Sequence, residues 1–159
     1  MRHLTRRAIF HFAPSWAVGF LLASLFHSIS VLMGLVQIGV ELNVSDWLSM
    51  IWQDALGLLP TYGAIIAVTL LLAFSIAHFI VKQLNLHEAK SATSTIRTVL
   101  FAVAGGLSFL LMLLAMQPVL NVTLIAGARS SLGLSAQCFA GFCAGYIYSK
   151  FSDSFNHYK

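Results

Sequence analysis

Histidine is the residue type in this chain best suited to chemistry, because imidazole carries protons near neutral pH and is the commonest metal ligand. There are six. His3, His87 and His157 lie in polar segments where a solvated ring is the expected state. His27 is different, since it falls deep within a long apolar run. Ser24, His27, Ser28 and Gly34 share roughly a 120° arc of a helix, so this polar stripe should face other helices rather than lipid. Such a histidine can line a proton or solute path, or it can stay neutral and hydrogen-bond a serine or a carbonyl. With no acid inside an apolar stretch to partner it, we favour the structural role. Gln137 is the other polar side chain expected inside the membrane. Its ordinary use is an interhelical hydrogen bond, and its sharper one is to line a pore with Ser24, His27 and Ser28.

His11 and His78 form a second candidate pair, at similar depth near the ends of two apolar runs. Facing each other, they would suit a haem iron or a divalent metal. Together with Arg7, Ser75, Lys82 and Arg97 they would instead make a basic pocket for an anionic headgroup or a phosphate. The simpler reading is that the histidines anchor the interface while Arg7 and Lys82 snorkel to the headgroups. No Cys-x-x-Cys-His, no histidine pair at helical ligand spacing and no His-Glu-x-x-His occurs, so we expect no cofactor and no metal. A carboxylate-driven pump or a paired-aspartate intramembrane protease lacks its acids, and the serines have no accompanying base motif. The expectation is a protein that is not an enzyme.

The elements that must position these residues are helices in lipid. Of 159 residues, 58% are hydrophobic and 9% charged, with mean hydropathy +0.85, against about a quarter charged in soluble domains. Four apolar runs, at about 8–38, 58–81, 99–116 and 131–149, match the roughly 20 residues a membrane crossing needs. The first begins after Arg2, Arg6 and Arg7 like a secretory signal, but it is about twice as long as a signal's apolar region and has no convincing cleavage site. We read it as a retained span, with Pro14 in a first turn. Between spans one and two, residues 45–56 predict a short amphipathic interfacial helix capped by Asn43 or Ser45. Its apolar face would carry Trp47, Leu48, Ile51, Trp52 and Ala55, with Asp46, Ser49, Gln53 and Asp54 opposite. The fold expected is all-α, a four-helix transmembrane bundle in a single domain.

The fourth run has a distinctive pattern. Gly133, Gln137, Gly141 and Gly145 form one row at four-residue spacing, and Ala136, Ala140 and Ala144 form the adjacent row. Small residues so spaced let helices approach closely in lipid. Either the other spans of the chain or a second copy would cover the strip. Cys138 and Cys143 lie on the same run about 140° apart, which rules out a mutual disulfide and marks them as packing residues.

Placing both termini in the cytoplasm puts Arg2, Arg6, Arg7, Lys82, Lys90, Arg97, Lys150 and Lys159 inside and only Arg129 outside, as the positive-inside rule requires. The basic residues flank apolar runs and form no solvated face, which argues against nucleic acid. A weak half-chain repeat pairs Leu42-Asn43-Val44-Ser45 with Leu120-Asn121-Val122-Thr123, though two apolar hairpins resemble each other readily by chance. The partners expected are the lipid bilayer and a second copy or another membrane protein, in a bacterial inner membrane. The leading function is a non-catalytic subunit or assembly component working by helix association. An oligomeric channel or transporter for a small solute is the alternative, and a haem- or metal-binding subunit a further one.

Overall fold

The computed structural model describes the backbone of residues 2–84, 91–120 and 131–154, and the side chains of 12–84, 94–116 and 131–152. Within them the chain is all-α, with no strand. Helix α1 runs Arg2–Gln37, α2 Val44–Leu58, a π-helical turn Leu59–Gly63, α3 Ala64–Gln83, α4 Ser91–Leu120 and α5 Ser131–Ser154. Three segments are long and apolar enough to cross a membrane: Phe12–Gln37, Val44–Gln83 and Ser94–Met116. Helix α5 is not among these three, since its glycines, serines and Gln137 dilute its apolar content.

Two local expectations are corrected. Pro14 lies inside α1 rather than opening a membrane helix. An interior proline costs a helix about 3 kcal/mol, and packing just beyond it favours continuity: Ser15 is fully buried and donates its Oγ–H to the Ala144 carbonyl at 2.6 Å. Likewise, α2 is not a short helix separate from the second apolar run. It passes through the π-turn into α3, making one helical run of 40 residues. Proline lacks an N–H and crowds the carbonyl four residues back, and the wider π-turn absorbs that misfit without ending the helix. At its other end α2 is capped as expected, by Asn43, whose backbone N–H donates to the Asp46 carboxylate at 3.0 Å. Gly39, at φ +88°, supplies the left-handed residue that turns α1 back toward α2.

The apolar face of α2 also divides differently. Trp47, Ile51, Asp54 and Ala55 are half-buried on the side that packs against α1, whereas Leu48 and Trp52 point outward at 65% and 66% exposure. The rule that polar residues face away from the packed side therefore fails at Asp54.

The largest contacts are α4 on α5 and α1 on α5, which puts α5 between its neighbours. Gly141 and Gly145 meet α4 backbone to backbone. A Cβ at Gly141 would fall on the Gly105 carbonyl oxygen, and one at Gly145 on the Phe101 carbonyl oxygen. The adjacent row faces α1: Ala140 and Ala144 are 0% exposed, and a Cβ at Gly19 would touch the Ala144 Cβ at 3.0 Å. Gly133 is buried and Ala136 half-buried at the start of α5. The strip is thus covered by α1 and α4 of the same chain. Residues 121–123 of the half-chain repeat, and Arg129, lie outside the described residues.

Candidate functional site

Among the close-packed small residues of α5 sits a large polar side chain, Gln137, which is 1% exposed. Both halves of its amide are used. Tyr62 in the π-turn donates its O–H to Gln137 Oε1 at 3.1 Å, and Gln137 Nε2 donates to the Ala23 carbonyl of α1 at 2.9 Å. Three elements are thereby locked at one level. A buried amide left unpaired would cost about 1–3 kcal/mol, so the network fixes the rotation of α5 against α1 as well as its depth. The π-turn is held from the other side by Trp16, whose Nε1–H donates to the Gly63 carbonyl at 2.8 Å while its ring stacks on Phe20. Trp16→Phe keeps an aromatic ring but removes the donor together with the pyrrole half of the indole. We expect it to lower unfolding stability by about 1 kcal/mol, measured by denaturant titration in detergent, and an unchanged midpoint would show that the bond does not hold the turn.

The polar stripe of α1 begins at Ser24, next to Ala23. Ser24 and Ser28 are buried, His27 is half-buried and Gly34 is exposed with open space around it. Ser28 donates to the Ser24 carbonyl, a bond inside its own helix. The Ser24 hydroxyl and His27 Nδ1 are enclosed and have no hydrogen-bond partner. Asp54 is half-buried on α2, which packs against α1. Ser24, His27, Ser28 and Gln137 therefore lie toward one end of the bundle, with Tyr62 bonded to Gln137. They do not run through it, because the middle is closed by Phe101, Phe109, Ala140 and Ala144, all without exposure.

At the opposite end the second candidate set separates. Arg97 is buried on α4 and donates to Ser152 Oγ at 2.7 Å, beside a contact between the Thr98 and Ser149 hydroxyls at 3.0 Å. His78 packs edge-on to Phe101, whose ring also lies under the Arg97 guanidinium. Tyr148 stacks on Phe74 in the same cluster. Ser75 and Lys82 are exposed on α3, and Ser75 Oγ donates to its own helix at Leu71. The structure thus brings His78 and Arg97 to one ring and leaves Ser75 and Lys82 outside. The side chains of Arg7 and His11 lie outside the described residues, as do those of His3, His87 and His157. Among the described residues no three His, Cys, Asp or Glu side chains gather as a metal site requires.

Sequence reasoning missed Tyr62 and Asp54. Tyr62 lies near the start of the second apolar run, where neither spacing nor a motif marks it, and Asp54 falls on the polar face of the expected 45–56 helix. A signal for Asp54 did exist: it lies at helical spacing with Trp47, Ile51 and Ala55 if Leu48 and Trp52 face lipid instead. No family model, curated protein or solved structure matches the chain.

Proposed function

We propose that this chain is a four-helix transmembrane bundle with both termini on the cytoplasmic side of a bacterial inner membrane, and that it acts there as a non-catalytic interaction component. The observation that supports the reading is the contrast between its two surfaces. The small-residue strip is spent inside, while the outside is lined with exposed leucine, isoleucine and phenylalanine that suit acyl chains or other helices rather than water. Association through the strip, the expectation from sequence, has no free surface to use. The outer face offers an apolar groove of about 910 Å³ between α3 and α4, walled by Ile76, Ile80, Val99, Val103 and Leu107. Its floor carries Ala73, Ala77 and Ala104, small enough to admit a neighbouring helix.

Native mass spectrometry of the protein released from lipid nanodiscs tests this reading. A discrete multimer, or one copy with a protein bound in fixed ratio, is expected. A bare monomer from membranes of its own host would count against it.

A second reading, an oligomeric channel or transporter for a small solute, draws on the enclosed and unpartnered Ser24 hydroxyl and His27 Nδ1. Because the interior beyond them is closed, it requires the helices to part or a path between copies. Flux into liposomes that His27→Ala abolishes would favour it over association alone.

A further inference from the structure

We propose that the hairpin of α1 and α2 projects beyond the membrane on the face opposite Lys82, Arg97 and Lys150, and that its ridge of Val44, Leu48, Trp52 and Leu56 docks a cationic amphipathic helix of a partner protein. The register of the bundle places the hairpin. Ser15 donates to the Ala144 carbonyl and Gln137 to the Ala23 carbonyl, so α5 runs antiparallel to α1 and its first residue, Ser131, comes level with about Ser28. Lys150 is 19 positions on from Ser131, about 29 Å at 1.5 Å per residue, which matches the roughly 30 Å of a hydrocarbon core. Helix α1 continues to Gln37, nine positions past Ser28, or about 13 Å further. Gly39 then turns the chain, and α2 runs back from Val44 and reaches the level of the start of α5 near Trp52. The 40-residue run Val44–Gln83 agrees with this placement. At about 60 Å it is twice as long as the core is thick, so one end must leave the hydrocarbon.

The projecting part keeps an apolar face that nothing in the chain covers among the described residues. Val44, Leu48, Trp52 and Leu56 are exposed at four-residue spacing, and no residue of α2 is buried. A row so spaced seats between the rows of a second helix, and an apolar helix face is a common element of partner recognition. Charge decides what kind of helix. From Ala8 to Val81 the chain has no lysine or arginine, and its charged residues there are Glu41, Asp46 and Asp54. Glu41 and Asp46 are exposed, the first in the turn just before Val44 and the second on a flank of α2. A second copy of this hairpin would bring the same sign to the contact and be repelled, whereas a helix carrying lysine or arginine beside its apolar face is drawn to it.

This inference rests on the transmembrane reading of the bundle and not on association through the α3–α4 groove. The test uses the full chain with Cys138→Ala and Cys143→Ala, spin-labelled at Ser45→Cys beside the ridge or at Leu72→Cys on exposed α3, in phosphatidylcholine nanodiscs. A water-soluble nickel chelate should relax the first label, and oxygen dissolved in the hydrocarbon the second. The docking probe is a synthetic amphipathic helix of leucine and lysine. It should shield the Ser45→Cys label from nickel saturably at one peptide per chain, about tenfold or more weaker in Trp52→Ser and a few-fold weaker in Glu41→Gln. The same peptide with glutamate for lysine should not bind. A Ser45→Cys label reached by oxygen and not by nickel overturns the projection and assigns the ridge to lipid. Spin–spin broadening between Ser45→Cys labels assigns it to a second copy and overturns the cationic partner, as does peptide binding indifferent to Trp52→Ser. Nickel access at Leu72→Cys would instead overturn the transmembrane reading itself, so the two failures are told apart.

Discussion

Gly141→Leu is expected to destroy the folded monomer itself, not merely an association between monomers. The Cβ it adds would fall on the Gly105 carbonyl and beside the Phe109 ring. Overpacking costs about 1–3 kcal/mol where side chains can yield. Here the obstacle is backbone, so α4 and α5 would have to separate, and the Gly145 contact with Phe101 would open with them. The loss should reach or exceed the top of that range. Gly34→Leu is the matched control, because nothing lies within 4 Å of the Cβ it would add. Unfolding midpoints in detergent should therefore fall steeply for the first variant and stay put for the second. Equal midpoints for Gly141→Leu and the wild type would mean that α4 and α5 do not meet as described.

The second large effect is at the Gln137 network. Gln137→Leu strands the Tyr62 hydroxyl and removes the second bond to the Ala23 carbonyl, which keeps its place in the α1 ladder, at an expected cost of about 1–3 kcal/mol for a group left unsatisfied in the interior. Tyr62→Phe removes only one bond and leaves an acceptor that tolerates it better. Interhelical hydrogen bonds in membranes average about 0.6 kcal/mol and reach about 1.7. The decisive quantity is consequently the coupling, not either single loss. The double variant should be less destabilised than the sum of the two single ones, because the second change removes a partner already stranded by the first. Additivity within about 0.3–0.5 kcal/mol would show that the two side chains do not interact.

The two predictions concern different parts of one design. Small residues at the α4–α5 contact permit close approach but set no particular rotation, because adjacent small rows on a helix offer nearly equivalent surfaces. The Gln137 amide has direction, and its two bonds select one rotation and one level. Steric closeness and polar registration are thus supplied by different residues of α5, one turn apart at Gln137 and Gly141.

Much of this architecture is legible in the sequence because it is local. Apolar run length predicts the helices, and the cap at Asn43 falls where turn chemistry puts it. The four-residue spacing of Gly133, Gln137, Gly141 and Gly145 marks α5 as a packing helix, and the arc of Ser24, His27 and Ser28 marks one face of α1. Each of these is a property of a single helix, encoded by its own periodicity. Which helices would cover the strip was not legible, since a strip of small residues accepts a neighbour from the same chain or from another with equal ease. The pairing of Tyr62 with Gln137 was also hidden, as was the turn of Asp54 toward the half-buried side of α2. Both depend on the rotation of one helix against another, and the π-turn adds to the difficulty: its extra residue shifts the phase by about 100°, so a face read along α2 does not continue into α3. Local periodicity alone determined the helices and their small and polar faces. Only tertiary packing decided which faces meet, because relative rotation is set by contacts between residues far apart in the chain.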